Sequence, residues 1–413
     1  MAGADVDRAL LAWARSRGAR IGVRVRDGGA AAPPAGLAAG AVVAEIPDEC
    51  VLTVESTHAG DQLTVLGLGP RSAKTPGGAW RQATGLALAL LLETAHGDSG
   101  DYAPYIAWLA AGAAKRAFAH PARWPRAAAR SALAGTSARR RLAGRAQHAP
   151  GDVDAAWAGL ARPALRRLRL TGRSARAAAS IDAAAFRAAL ATVSAYAFLL
   201  GDSERPVLAL VPVWDALDTR PGPAAVALSH DAAAGRLTMR STVPLPPGAS
   251  VFNSYGRLAA GELLRRYGFV HGKKGRRGPA ALTVDDCVDF TPGAVGAAAV
   301  VAALRRRRPR SLRPVAAARR AAAAAAAGAL RAAADGEPSA ALLAAAAAAA
   351  GDPGEGKAVL VELCRRRAAA LARGGAASSA ADLPPAALDA ADHVRAVERA
   401  CVARLEAWVG EHL

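Results

Sequence analysis

Short β-branched segments flank a long stretch of helix formers, and this arrangement constrains the fold of the 413-residue chain more than any other feature. IGVRVRD (21–27) and AVVAEIPDECVLTV (41–54) are bounded by Gly and Pro as strands are, and the same texture returns in VLALVPVW (207–214), RLTMRSTV (236–243) and SVFNSY (250–255). DGGAAAPPAGLAAG (27–40) reads as a loop by composition. Between the two groups, TGLALALLLE (84–93) reads as a buried helix and SIDAAAFRAALATVSAYAFLL (180–200) as a second one. In the second, Ser180 or Asp182 is the N-cap, and Phe186, Leu190, Val193 and Ala197 share a face. Residues about 111–180 are rich in Ala and Arg and are expected to form a helical insertion into the β-rich part.

The chain is long enough for two or three domains. Beyond about residue 280 it turns to helix formers broken by Pro and Gly. Its last segment puts Val394, Val397, Cys401, Leu405 and Trp408 on one stripe, as a packed helix would. The expected class is therefore α+β: a β-rich domain over 1–275 with the helical insertion, then an all-helical domain over 280–413. The hydrophobic fraction of 52% comes heavily from alanine while aromatic residues make up only 4%, so each aromatic position carries weight.

The formal net charge of +19 is almost all arginine. Two causes fit it: the codon bias of a GC-rich genome, or an anionic partner such as RNA, the ribosome or chromatin. The run from Arg305 to Arg308 reads as a solvated helix end. Cys50, Cys287, Cys364 and Cys401 stand far apart, and the histidines, His120, His230 and His271 among them, show no ligand spacing, so neither a metal site nor a disulfide framework is expected. No segment reads as a signal peptide or a bilayer span, and the expected setting is nucleus or cytoplasm, with the plastid left open. GFVHGKK (268–274) lacks phosphate-loop spacing, and no G-x-S-x-G elbow is present.

The stretch most informative for chemistry is VPVWDALD (211–218) followed by VFNSYGRLAAGELLRRYGFV (251–270). It resembles the C-terminal SET signature of the Rubisco-methyltransferase-like lysine methyltransferases, where a strand ending in Tyr-Gly leads into an E-L-L-x-x-Y-G-F helix. Within that branch it is most similar to the ribosomal lysine methyltransferase 4 and SET-domain protein 6 group. AVVAEIPDECVLT, LALLLE with DYAPYIAWL, HPARWP (120–125) and VSAYAF (193–198) resemble further family segments and occur in the family's order. The helical C-terminus is similar in placement to the family's Rubisco-substrate-binding-like domain.

The resemblance implies a SET-domain enzyme that methylates a lysine side chain of a non-histone protein with S-adenosylmethionine, a ribosomal protein being the first candidate. It implies Tyr255 as the catalytic residue. It also implies Tyr267, Asp215, Asp218, Thr219 and Tyr196 as cofactor-binding residues, and Tyr102, Tyr196 and Tyr255 along the substrate lysine. No metal and no membrane enter this reading. Two departures stand out. The family's D-x-x-N-H motif is here Asp215-Ala216-Leu217-Asp218-Thr219, and ionised aspartate accepts hydrogen bonds where asparagine also donates. The family's N-terminal Gly-x-Gly pattern is also missing from 22–40. Both departures concern the cofactor, and they keep open a second reading, a catalytically degenerate SET-fold module that binds protein. A nucleic-acid-associated factor and a histidine acceptor are the remaining alternatives.

Overall fold

The computed structural model describes residues 3–74, 78–115, 119–139, 150–201, 206–271, 286–305, 315–325, 329–351, 355–373 and 383–412. The chain separates into two compact units: one of Met1–Arg123, Arg145–Gly256 and Arg266–Gly268, the other of Trp124–Gly144, Arg257–Arg265 and Phe269–Leu413. No helix among the described residues is long and apolar enough to cross a membrane.

In the first unit, strands from the two β-rich ends of the sequence pair with one another, as a helical insertion requires. A four-stranded antiparallel sheet runs in the order β1 (Arg20–Ile21), β4 (Val42–Pro47), β9 (Arg236–Ser241), β8 (Val226–Asp231). Its inward positions Val43, Ala44, Ile46, Leu237 and Met239 are wholly buried. Each such large aliphatic side chain contributes about 1.5–3 kcal/mol. An antiparallel bridge from Leu52 to Leu210 extends the link between the two ends. The β8 strand was missed in the sequence because polar Ser229, His230 and Asp231 dilute its apolar alternation.

Two further corrections come from turns and pairings that local composition hides. The segment 27–40, expected as loop, holds β3 (Gly29–Ala31), which forms a hairpin with β2 (Arg24–Arg26). Its turn residues Asp27 and Gly28 both have positive φ, 52° and 77°, the conformation that Asp-Gly adopts in tight hairpins. The helix expected to run to Leu200 ends at Tyr196: Ala197 is extended, and Phe198–Leu200 forms β5, antiparallel to β6 (Val207–Ala209). Strand pairing outweighs local helix propensity there. Asp182 is the N-cap, its carboxylate accepting from the Ala185 amide at 2.8 Å. Ser180 instead closes the preceding helix, donating to the Ala177 carbonyl.

The helices of the unit that matter most are α1 (Gly3–Ser16), α2 (Gly60–Val65), α3 (Gly78–Thr94), α4 (Ala103–Lys115) and the one just described, Ala183–Tyr196. Helix α3 is buried along residues 82–90, so it reads apolar all round as a central helix does. Trp13 of α1 stacks on Tyr105 of α4 with centroids 6.3 Å apart, and Trp108 donates to Asp7 at 2.8 Å. In the expected insertion the described residues form short helices, Arg126–Ala132, Pro150–Ala156, Arg162–Arg167 and Gly172–Ser180, with a π-helical turn at Trp157–Ala161.

The second unit is mostly helical: Pro292–Arg305, Val315–Ala325, Ala340–Ala350, Gly356–Arg373 and Pro385–His412. It departs from the all-helical expectation by one antiparallel strand pair, Cys287–Asp289 with Arg331–Ala333, across which Arg331 donates to Asp289 at 2.8 Å. In the last helix Val394, Val397, Cys401 and Leu405 are buried as expected. Val409, four residues after Leu405, completes the stripe in place of the half-exposed Trp408. The arginine run beyond Arg305 and the GKK turn at 272–274 lie outside the described residues.

Candidate active site

The site region begins with two short parallel strands, β7 (Asp218–Thr219) and β10 (Phe252–Asn253), in which Asp218 stands opposite Phe252 and Thr219 opposite Asn253. Backbone bonds carry the pairing sideways: Asp218 N donates to Val251 O at 3.1 Å, and Val251 N to Ala30 O at 2.9 Å. The β2–β3 hairpin is thereby brought against β7. A Cβ placed on Gly29 would stand 3.9 Å from Asp218 Oδ2, so the glycine turn and the carboxylate border one space. The Gly-x-Gly pattern is absent, yet glycine backbone still approaches the Asp218 carboxylate. The Asp-Gly turn between Arg24–Arg26 and Gly29–Ala31 was the available signal for it.

Ahead of β7 the chain makes a strained turn. Val213 has φ 71° and ψ −39°, a conformation costly for a β-branched residue, and it feeds the short 3-10 turn Trp214–Ala216. The turn puts Asp215 in the interior, 4% exposed. Its Oδ2 accepts a short hydrogen bond from the hydroxyl of Tyr105, which is fully buried. Burial pushes the Tyr105 phenol well above its ordinary pKa, and the charges of Asp215 and Tyr196 act in the same direction. The phenol therefore keeps its proton and remains the donor to the carboxylate.

The tyrosine pair follows from the next strand and helix. Tyr255 stands just past β10 and Tyr267 ends the helix Ala260–Tyr267; their rings are tilted at 41° with centroids 4.1 Å apart. The Tyr255 hydroxyl donates to the Ala195 carbonyl at 3.1 Å, in the last turn of the helix Ala183–Tyr196. Gly268 terminates the helix after Tyr267 with φ 76°, and a Cβ there would lie 2.7 Å from the Cβ of His120. His120 is fully buried; its Nε2 donates to the Arg266 carbonyl at 3.0 Å while its Nδ1 accepts from the Ala122 amide. The HPARWP segment thus holds the C-terminal turn of the helix that carries Tyr267.

Tyr255 meets Tyr267, and its hydroxyl reaches the carbonyl of Ala195, the residue before Tyr196; Tyr196 in turn acts on Tyr105, the partner of Asp215, and Asp218 and Thr219 form the strand that follows the Asp215 turn. Tyr102 is placed otherwise: it is 4% exposed, its hydroxyl lies 3.3 Å from the Val51 carbonyl and 3.5 Å from that of Ser56, and its ring meets Trp13 edge-on. Burial raises its pKa. The tyrosine that meets the D-x-x motif is Tyr105, three residues on and a helical turn away, which was missed because both lie in the same DYAPYIAWL segment. A cleft of about 410 Å³ bounded by Trp157, Arg162, Arg166 and Ile181 contains none of these residues.

The pairing of a split β core with a strand-to-helix tyrosine step and a helical C-terminal unit is the α+β architecture of the SET-domain proteins of the Rubisco LSMT type. Three solved structures carry that likeness across essentially the whole chain. The SET domain of LSMT bound to lysine and AdoHcy matches with a TM-score of 0.57 at 14% identity, covering 100% of this chain and 92% of that one. Rubisco LSMT bound to AdoMet matches at 0.55 and 14%, covering 98% and 92%. Rubisco LSMT bound to sinefungin and monomethyllysine matches at 0.55 and 13%, covering 98% and 92%. At such identities the likeness establishes the fold. No family model matches the sequence, and neither does any curated protein.

Proposed function

We propose that the chain is an S-adenosylmethionine-dependent protein-lysine N-methyltransferase acting on a non-histone protein, with a ribosomal protein as first candidate. The observation that carries this reading is the contact of Tyr255 with Tyr267, 4.1 Å between ring centroids, with the Tyr255 hydroxyl fixed by the Ala195 carbonyl. The solved neighbours, crystallised with lysine or AdoMet and related molecules, support the same assignment.

The cofactor has a fitting place beside β7. Thr219 Oγ1 is buried with no hydrogen-bond partner among the described residues, and the carboxylate of the neighbouring Asp218 lies beside Gly29. Asp218 would accept from an ammonium group and Thr219 would supply a hydroxyl, with Asp215 and Tyr267 framing the site. S-adenosylmethionine, when bound, supplies an electrophilic methyl on a sulfonium. The protein's own task is positioning, because in-line attack needs nucleophile and carbon held at about 3–3.5 Å. A free lysine amine has a pKa of about 10.4, and the aromatic walls of Tyr255, Tyr267 and Tyr196 favour its neutral, nucleophilic form. The Tyr255 hydroxyl, anchored by Ala195, is the polar contact that orients the amine.

Incubating the purified protein with radiolabelled cofactor and total cell lysate tests this reading. A labelled protein band, lost with Tyr255→Phe, is expected. The second reading, a degenerate SET-fold module, is favoured by Asp218 and Thr219 in place of Asn and His. Calorimetry with S-adenosylmethionine separates the two, since absence of binding at millimolar cofactor would leave only the binding module.

A further inference from the structure

Away from these tyrosines, the first unit holds a cluster of two imidazoles and a carboxylate. Glu93 lies in the last turn of α3, His96 follows it by three residues, and His58 comes from the turn that precedes α2. One ligand atom from each lies within 4.8 Å of the other two. Glu93 Oε1 accepts from the His58 amide at 2.8 Å and faces His58 Nδ1 at 2.8 Å, while the two rings stack with centroids 4.4 Å apart. His96 Nε2 lies 3.1 Å from Ser174 Oγ.

Burial makes this arrangement unlike a surface ion pair. The Glu93 side chain is 1% exposed and that of His58 is 52% exposed, so the carboxylate sits at the floor and one imidazole at the rim. Glu93 Oε2 is buried and has no hydrogen-bond partner among the described residues. An unsatisfied buried carboxylate oxygen costs free energy that a cation would recover. A simple structural pin would need one imidazole and would leave no orphan oxygen.

We infer that His58, Glu93 and His96 form a binding site for one divalent transition-metal ion of the zinc class. Two neutral imidazoles and a carboxylate suit such an ion, and they leave a fourth position on the exposed His58 side for water. Bonds of about 2.0–2.1 Å in a tetrahedral site set donors about 3.3 Å apart, so the close His58–Glu93 contact opens by about half an ångström on binding, which a rotation of the half-exposed His58 ring supplies. If Nδ1 of His58 ligates, its proton leaves to solvent. The bound ion would clamp the turn around His58 to the C-terminus of α3. Residue spacing gave no hint of the site, because 35 positions separate His58 from Glu93.

Titration of the metal-stripped full chain with Co²⁺ tests the proposal. One Co²⁺ per chain is expected, with a visible d–d absorption band, displacement by Zn²⁺, and a higher Tm when metal is present. Affinity should fall at least tenfold in His58→Ala and in His96→Ala, both of which alter rings not fully buried, and also in Glu93→Gln. Circular dichroism identifies any variant that fails to fold, and His58→Ala, at the exposed rim, keeps the test decisive if the buried substitution does. Absence of saturable binding, or a band unchanged in the two histidine variants, overturns the assignment. The latter result would mean an adventitious ion on other histidines.

Discussion

The two units hold themselves together by opposite means. All five tyrosines of the chain, residues 102, 105, 196, 255 and 267, lie in the first, where rings meet rings or reach a polar group. The buried arginines Arg265, Arg367 and Arg395 all lie in the second, a packing of alanine-rich helices. There Glu398 accepts from the Ser137 amide at 2.8 and 3.1 Å, from the Ser137 hydroxyl and from Arg367, while Arg265 pairs with Glu262 and Arg395 reaches the Ala132 carbonyl. Alanine surfaces are nearly featureless and slide past one another with little change in packing. A buried charge that finds its partner in one register alone supplies the specificity that bulky side chains provide in the first unit.

The largest expected effect tests that contrast directly. Glu398→Ala leaves Arg367 buried and unpaired and should cost about 3–5 kcal/mol in chemical denaturation, whereas Arg367→Met with Glu398→Gln, which removes both charges and keeps an acceptor for the Ser137 amide, should cost far less. If the double replacement is as damaging as the single one, the network contributes stability and not register, and the contrast fails. In the first unit, Tyr105→Phe removes the donor to buried Asp215 and should cost about 1–3 kcal/mol, read in the same way. Tyr255→Phe deletes a bond from a half-buried hydroxyl and should cost only about 0.5–1.5 kcal/mol while abolishing methyl transfer. A folded, stable Tyr255→Phe that keeps full activity would remove this tyrosine from the chemistry.

What was legible in the sequence tracks how local its cause is. The helix around Phe186 and Leu190 and the cap at Asp182 were readable because each depends on residues within one or two turns. The end of that helix at Tyr196 was not, since Phe198–Leu200 becomes a strand only through its pairing with Val207–Ala209. The same holds in the site. The strand-to-helix step bearing Tyr255 and Tyr267 could be read as a contiguous motif, and the rings do meet. Tyr105 and the Gly28–Gly29 turn reach Asp215 and Asp218 through tertiary packing across more than a hundred residues, and no local pattern announces such a contact. Tyr105, three residues after Tyr102, meets Asp215 only through the folding of its helix against a turn 110 residues further on, and Trp13 packs against both tyrosine rings.

The smallest expected effect sharpens the account of the second unit, because it probes a titrating group in a packing that otherwise uses permanent charges. His393, in the last helix, has its pKa lowered from 6.5, chiefly by burial; the Asp286 carboxylate and a hydrogen bond with the His271 backbone pull it the other way. A histidine held below its unfolded pKa binds its proton more readily in the unfolded chain, so stability is fully present above about pH 6.5 and is lost as pH falls through the folded value. His393→Gln should therefore flatten the acid side of a plot of Tm against pH and leave the neutral side nearly unchanged. Steepening instead would mean that the attraction of Asp286 outweighs burial, so that the imidazolium belongs to the buried ion pairs of this unit along with its arginines.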